Sequence, residues 1–177
     1  ILISSVGAGA QELVLSQIKK IGSNLGVILP GASEDGGPPA SVFYINITTL
    51  KQKDAQDIER NVPHVVAATS YVRGSETVTF EDESRTVQFF GVSPNYLLVE
   101  DARVEKGRFF TEEENERIGR VVVLGSGIAS EFFGDLDPLG EELRIGAEKY
   151  EVIGVLAERG TTAFQNQDEI FLVPIST

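Results

Sequence analysis

The feature that most constrains this chain is a series of short apolar runs, each cut off by a glycine or a proline, in fixed order between residues 91 and 155. The series reads Gly91-Val92-Ser93-Pro94-Asn95-Tyr96, Gly107-Arg108-Phe109-Phe110-Thr111-Glu112, Val121-Val122-Val123-Leu124-Gly125, Phe132-Phe133-Gly134-Asp135, Pro138-Leu139-Gly140 and Val152-Ile153-Gly154-Val155. Runs this short, bounded by turn residues, are strands rather than helices. Residues 77–80, 86–92, 120–124, 142–145 and 150–156 are read as strands, with hairpin turns at 81–85 and 146–149. Thr111 stands three residues before Glu114 and forms a capping box. Residues 126–133 form one short helix, with Ile128 and Phe132 on the same side and Gly134 after it.

The first seventy residues have a different texture. Residues 1–21 contain no proline, and Leu13, Leu15, Ile18 and Ile21 recur near a helical period before the stop at Gly22-Ser23-Asn24. Residues 25–29 read as a short buried strand, and the Gly/Pro-rich stretch 32–40 as a mobile loop. Residues 42–48 alternate, with Phe43, Ile45 and Ile47 on one face. Thr49 is a candidate cap for a helix over 50–61 that Pro63 ends, and 65–72 reads as a further strand. A lobe boundary is placed at 73–75, the second lobe ends near Glu158, residues 160–167 are a flexible connection and 170–175 is a last strand. Of the paired aromatics Phe109, Phe110, Phe132 and Phe133, one of each pair is expected in the core and the other beneath a loop.

Chemistry is narrowed by what the chain contains. The 177 residues suffice for one sizeable core or two small lobes. With 15 basic against 27 acidic residues the net charge is −12, which opposes binding to nucleic acid or to an anionic membrane face. Without cysteine there is no disulfide, thiolate site or cysteine nucleophile, and the single histidine, His64, leaves zinc and Cys–His chemistry short of ligands. The run Val121 to Gly127 imitates a dinucleotide fingerprint, but Ser130 stands at the third glycine position and the helix is too short for a crossover. Ser126 lies in Gly-Ser-Gly and lacks the spacing of a nucleophile elbow, and no Walker motif occurs. The carboxylates Glu81-Asp82-Glu83, Glu112-Glu113-Glu114, Asp135, Asp137 and Glu141-Glu142 fall in turns and at a helix start, where solvent and the helix dipole hold them. Asp135 and Asp137 match only a fragment of a calcium loop. No catalytic, cofactor-binding or metal-ligating residue is therefore assigned, and no stretch reaches the roughly 20 apolar residues of a membrane span.

The ordered turn series, together with Gly7-Ala8-Gly9-Ala10, Ile21-Gly22-Ser23-Asn24 and Pro30-Gly31, resembles the MacB-like periplasmic core domain of ABC-transporter permeases. The resemblance implies an α+β fold. Residues 1–24 would be a helix continuing outward from a transmembrane segment, 25–73 the first half of a porter-like lobe, 74–158 a β-rich second lobe, and 159–177 a connection and strand returning to the first lobe, which is expected to be cut short. The unpaired edge left by a half lobe is expected to favour dimerisation or strand exchange. The resemblance further implies a membrane-anchored, extracytoplasmic domain without enzymatic activity. Its partners would be a second permease copy, a cytoplasmic ATPase module and a periplasmic adaptor. Alternatives are a partner-recruiting domain of a division or lipoprotein-sorting permease, and a secreted carboxylate-dependent hydrolase or binding module, which needs two buried, facing acids.

Overall fold

Two segments, Val121-Val122-Val123-Leu124 and Ile170-Phe171-Leu172-Val173-Pro174, are apolar at every position, and a strand of that kind is stable only where both faces are covered. In the computed structural model, which describes residues 25–28, 30, 49–162 and 165–177, every residue of both segments is buried. The elements in chain order are α1 (Gln52–Asn61), β1 (Tyr71–Phe80), β2 (Glu83–Val92), α2 (Tyr96–Val99), β3 (Val104–Gly107), α3 (Glu112–Glu116), β4 (Val121–Leu124), α4 (Ser126–Phe133), β5 (Glu142–Ile145), β6 (Glu148–Leu156), β7 (Thr161–Thr162), β8 (Gln165–Asn166) and β9 (Ile170–Pro174).

The main sheet closes on itself. β1 and β2 form an antiparallel ladder from Tyr71↔Val92 to Phe80↔Glu83. β9 lies parallel to β2 and antiparallel to β4, and β4 lies parallel to β6. β6 pairs with β5, and β5 returns to β1 at Val78↔Ile145 and Thr79↔Arg144. The circuit β1-β2-β9-β4-β6-β5 is thus a barrel, and β3 extends it as an edge on the far half of β6. Alternation sends Val78, Val87, Val122, Leu124, Leu143, Val152, Phe171 and Val173 inward. α4 covers one end with Ile128, Phe132 and Phe133, and the Phe133 ring meets Phe80 at 4.4 Å.

A second apolar layer lies outside β2, β9 and β4. Val92, Val121, Val123, Ile170 and Leu172 meet Tyr96, Ala102 and Phe110 from the segment that carries α2, β3 and α3. A register shift in the β4–β6 ladder, from Val122↔Val152 to Val123↔Gly154, lets β6 serve both layers. Val152 and Val155 face inward, while Ile153 and Leu156 face the outer layer. At the crossing of β3 over β6, a Cβ on Gly107 would stand 2.3 Å from the Ile153 carbonyl, and one on Gly154 would stand 2.3 Å from the Arg108 carbonyl.

Several expectations are corrected here. Ile170–Pro174 does not return to a separate lobe: it lies between β2 and β4 with partners on both edges, because a strand without a polar face belongs at the centre of a sheet. Both of its edges are therefore paired, while the half lobe at which an unpaired edge is expected lies largely outside the described residues. β1 runs through the expected boundary at 73–75 without interruption. Residues 65–70 carry no regular structure, and side chains bind the backbone of Ala68, as described below. The N-cap of α1 is Lys51 rather than Thr49; Asp54 accepts from the Lys51 backbone N–H at 2.7 Å. Residues 25–28 form no strand, and Val27 is 73% exposed. The connection at 160–167 holds the small ribbon β7–β8, with Gln167 N–H donating to the Gly160 carbonyl. Phe132 and Phe133 are both buried, whereas Phe110 is buried and Phe109 only partly so. The helix expected over 1–24, the loop 32–40 and the strand 42–48 lie outside the described residues. Among the described residues no helix is long and apolar enough to cross a membrane.

Because the neighbours of Gly154 are backbone atoms that cannot rotate away, Gly154→Ala is expected to destabilise the domain by about 2–3 kcal/mol in chemical denaturation, as overpacking of a close contact does. Gly26→Ala, where nothing lies within 4 Å of a Cβ and the backbone is not in the positive-φ region, should cost clearly less.

Candidate functional site

The described residues do not assemble the reactive constellations weighed above. His64 is exposed in the turn after α1, with φ +68°. Glu81, Asp82, Glu83, Glu112, Glu113, Asp135, Asp137, Glu141 and Glu142 are exposed, and the one buried polar or charged residue among those described is Asn115. Asp137 holds a turn, accepting from the Leu139 N–H at 3.3 Å. The Ser126 hydroxyl is buried at the start of α4 without a hydrogen-bond partner. No group of three His, Asp or Glu side chains able to hold a metal ion occurs among the described residues.

What the turn series builds instead is a junction between α1 and the barrel. Residues 93–96 leave β2 as Ser93-Pro94-Asn95-Tyr96, and each polar member ties down the chain that leads from α1 into β1. The Asn95 amide donates to the Glu59 carboxylate at 2.8 Å and reaches the Ala68 carbonyl at 3.4 Å. The Ala68 N–H donates to the same Glu59 oxygen at 3.1 Å, and the hydroxyls of Thr69 and Ser93 meet at 2.8 Å. The backbone of Ala68 thus bonds to side chains in place of a neighbouring strand. A polar cleft of about 230 Å³ lies alongside, lined by Gln56, Glu59, Arg60, Ser93, Asn95 and Glu112 among others.

The junction continues beneath α2. The Tyr71 hydroxyl donates to Glu100 at 2.6 Å, and Arg159 donates to the Glu100 carbonyl at 2.7 Å. The Arg159 and Gly160 N–H groups in turn donate to the two oxygens of Asp168, at 2.9 and 2.8 Å. The Tyr71 ring packs edge-on against Tyr96 and Phe90, with centroids 6.0 and 6.4 Å away. Tyr71 as a residue is 45% exposed, but its hydroxyl end sits among Tyr96, Glu100 and Arg159. Burial, reinforced by the Glu100 hydrogen bond and charge, pushes its phenol well above the usual range. Burial and the Glu100 charge push Tyr96 up to about 12.

A second fastening holds α3. Arg108 grips Glu114 with two hydrogen bonds of 2.8 and 2.7 Å, and the capping box forms, with Glu114 N–H donating to the Thr111 hydroxyl and Thr111 N–H donating back at 2.9 Å. The Arg108 hydrogen bond, aided by the Thr111 contacts, lowers the Glu114 carboxyl to about 2 against the effect of burial. Asn115 then accepts from the Ser176 hydroxyl, so α3 also anchors the residues after β9. Glu59, Glu100, Arg159 and Asp168 carried no signal in the sequence, because each becomes polar scaffolding only through contacts 8 to 59 residues away.

Comparison with known proteins places this geometry. The sequence profile of the MacB-like periplasmic core domain matches residues 1–177, and the chain belongs to that family. The "Macrolide export ATP-binding/permease protein MacB" of Bdellovibrio bacteriovorus is 33% identical over 174 residues, covering 98% of this chain and 26% of the relative. The protein of the same name from Chlorobaculum tepidum is 32% identical and covers 100% of this chain and 27% of the relative. The chain thus spans about a quarter of the length of these relatives. The crystal structure of the periplasmic region of MacB from Actinobacillus actinomycetemcomitans shares the fold, with a TM-score of 0.73, 24% identity, and coverage of 90% of this chain and 68% of that one. The extracellular domain of the noncanonic ABC-type transporter YknZ from Gram-positive bacteria follows at a TM-score of 0.60, 24% identity, and coverage of 71% and 63%.

Two pH dependences follow. The Glu114 carboxyl is depressed in the fold, so its contribution is complete above the unfolded value of about 4.5 and is lost as pH falls toward about 2. Glu114→Gln is expected to flatten the acid limb of a stability–pH curve over that window and to cost about 1 kcal/mol at pH 7. The tyrosine phenols are raised, so their contribution is complete below about pH 10 and declines above it. Urea denaturation should show stability falling between about pH 10 and 12, less steeply in Tyr71→Phe than in the parent.

Proposed function

We propose that this domain is the extracytoplasmic part of an ABC-transporter permease, and that it acts by posture and contact rather than by bond chemistry. Membership of the MacB-like periplasmic core domain family supports the permease assignment. The observation that carries the mechanical part is the junction: Glu59 on α1 is bonded both to Asn95 at the end of β2 and to Ala68 ahead of β1. A helix keeps its hydrogen bonds internal, so a displacement applied to α1 is passed to the barrel through the Glu59 contacts. In this reading the barrel swings as one body with α1 when a cytoplasmic ATPase module cycles. The permease works as a pair of copies, with an adaptor protein outside the membrane in bacteria that have a second one. The relatives' printed names support an exported small molecule as cargo, namely a macrolide.

The test is made in the full-length transporter. Glu59→Ala combined with Asn95→Ala removes both partners of one hydrogen bond and leaves the half-buried Ala68 N–H and carbonyl to solvent, so folding should survive at a modest cost in stability. ATP hydrolysis is expected to continue within about twofold of the parent, while export, read as drug tolerance of cells carrying the transporter, falls at least fivefold. Export at the parental level with the junction removed would contradict the coupling role.

A further inference from the structure

The chain enters and leaves the barrel at the same end. Tyr71, the first residue of β1, and Pro174, the last of β9, are both register partners of Val92 in β2. Two strand spacings, roughly 10 Å, therefore separate entry from exit. One stretch of chain, residues 93–119 between β2 and β4, reaches both. Ser93 and Asn95 at its start fasten the approach to β1, while Asn115 and Gly119 at its end fasten the residues that follow β9.

The exit fastening is built around Asn115. This residue is 2% exposed; its amide donates to Glu112 at 3.2 Å, and its Oδ1 accepts from the Ser176 hydroxyl at 3.0 Å. The same hydroxyl also meets the Asn115 carbonyl. One residue further, the Thr177 hydroxyl donates to the Gly119 carbonyl at 3.2 Å, and the Thr177 N–H closes the turn on the Pro174 carbonyl at 3.0 Å. Ile118 shows how firmly the receiving loop is set. It is β-branched and 58% exposed, yet it holds φ +56°, a region that such residues avoid. A conformation of this kind persists where neighbouring bonds impose it, here Gly119 N–H to the Glu114 carbonyl at 2.7 Å and Ile118 N–H to the Asn115 carbonyl at 3.3 Å. Glu114 is in turn gripped by Arg108 beside the close crossing of β3 over β6, so the loop stands on the barrel wall.

We propose that Asn115 and Ser176 are a positioning pair. They hold the outgoing chain to α3, so that the segments leading into β1 and out of β9 keep a fixed separation and turn together with the barrel. The consequence for export rests on the transport reading above, whereas the catch itself does not. In that reading a displacement arriving through α1 leaves through residues 175–177 and is not absorbed by a swivel after β9.

The test is made in the full-length transporter. Ser176→Ala removes the hydroxyl from an exposed residue and should leave the fold intact, and Ser176→Thr keeps the hydroxyl. Hydrogen exchange at the Ile175 and Thr177 amides is expected to rise roughly tenfold in Ser176→Ala and to stay at the parental level in Ser176→Thr, with β4 and β9 unchanged in both. Export per ATP hydrolysed is expected to fall by about threefold or more in Ser176→Ala and to recover in Ser176→Thr. Parental exchange in Ser176→Ala would overturn the catch. Raised exchange with parental export per ATP would overturn the positioning role, and the Glu59 and Asn95 variants would still decide the transport reading on their own. Lost protection throughout β4 and β9, or an equal loss of export in Ser176→Thr, would overturn it as well, reducing the pair to general packing.

Discussion

Burial of β4 and β9 on both faces is the constraint on which the rest depends. Two strands without a polar side must be flanked by strands laterally and covered above and below. The inner cover is the barrel wall with α4, and the outer cover is the segment from Tyr96 to Phe110. Each large side chain removed from water at these strands contributes about 2 kcal/mol, and Leu124, Ile170, Phe171 and Leu172 are all essentially inaccessible. The shifted register of β6 and the bare backbones of Gly107 and Gly154 serve the same end, since they let one strand face both layers while β3 crosses closely over it.

Much of this was legible in the chain because it is local. The turn series located β2, β4, β5 and β6, and the apolar run at 170–175 located β9, to within two or three residues, and α4 and the Thr111–Glu114 capping box fall where their patterns place them. The sequence concealed whatever depends on distant partners. β3, Val104-Glu105-Lys106-Gly107, has too little alternation to be read as a strand and is held by its ladder to β6. Residues 65–70 look like a strand in composition, but the Glu59 and Asn95 side chains occupy Ala68's hydrogen-bonding groups. The largest misreading, assigning Ile170–Pro174 to another lobe, came from following a family pattern when the doubly apolar run already argued for the centre of the sheet.

The junction gives the turn series a physical meaning. Asn95 and Ser93 secure the approach from α1, Tyr96 packs under Tyr71, Arg108 and Thr111 set α3, and Gly125 approaches the Asp168 carbonyl too closely for a side chain. These residues hold backbone segments against one another, and the exposed carboxylates scattered over turns keep the surface solvated.

The central claim is that α1 and the barrel move as one body. It is tested most directly by spin labels placed at Lys53 on α1 and Asp82 at the β1–β2 turn, each through an introduced cysteine, with any cysteine outside these 177 cysteine-free residues replaced first. Pulsed electron resonance on the full-length transporter, with and without bound nucleotide, is expected to give one narrow distance that does not change between the two states. A broad distribution, or a distance that shifts when nucleotide binds, would contradict a junction that holds.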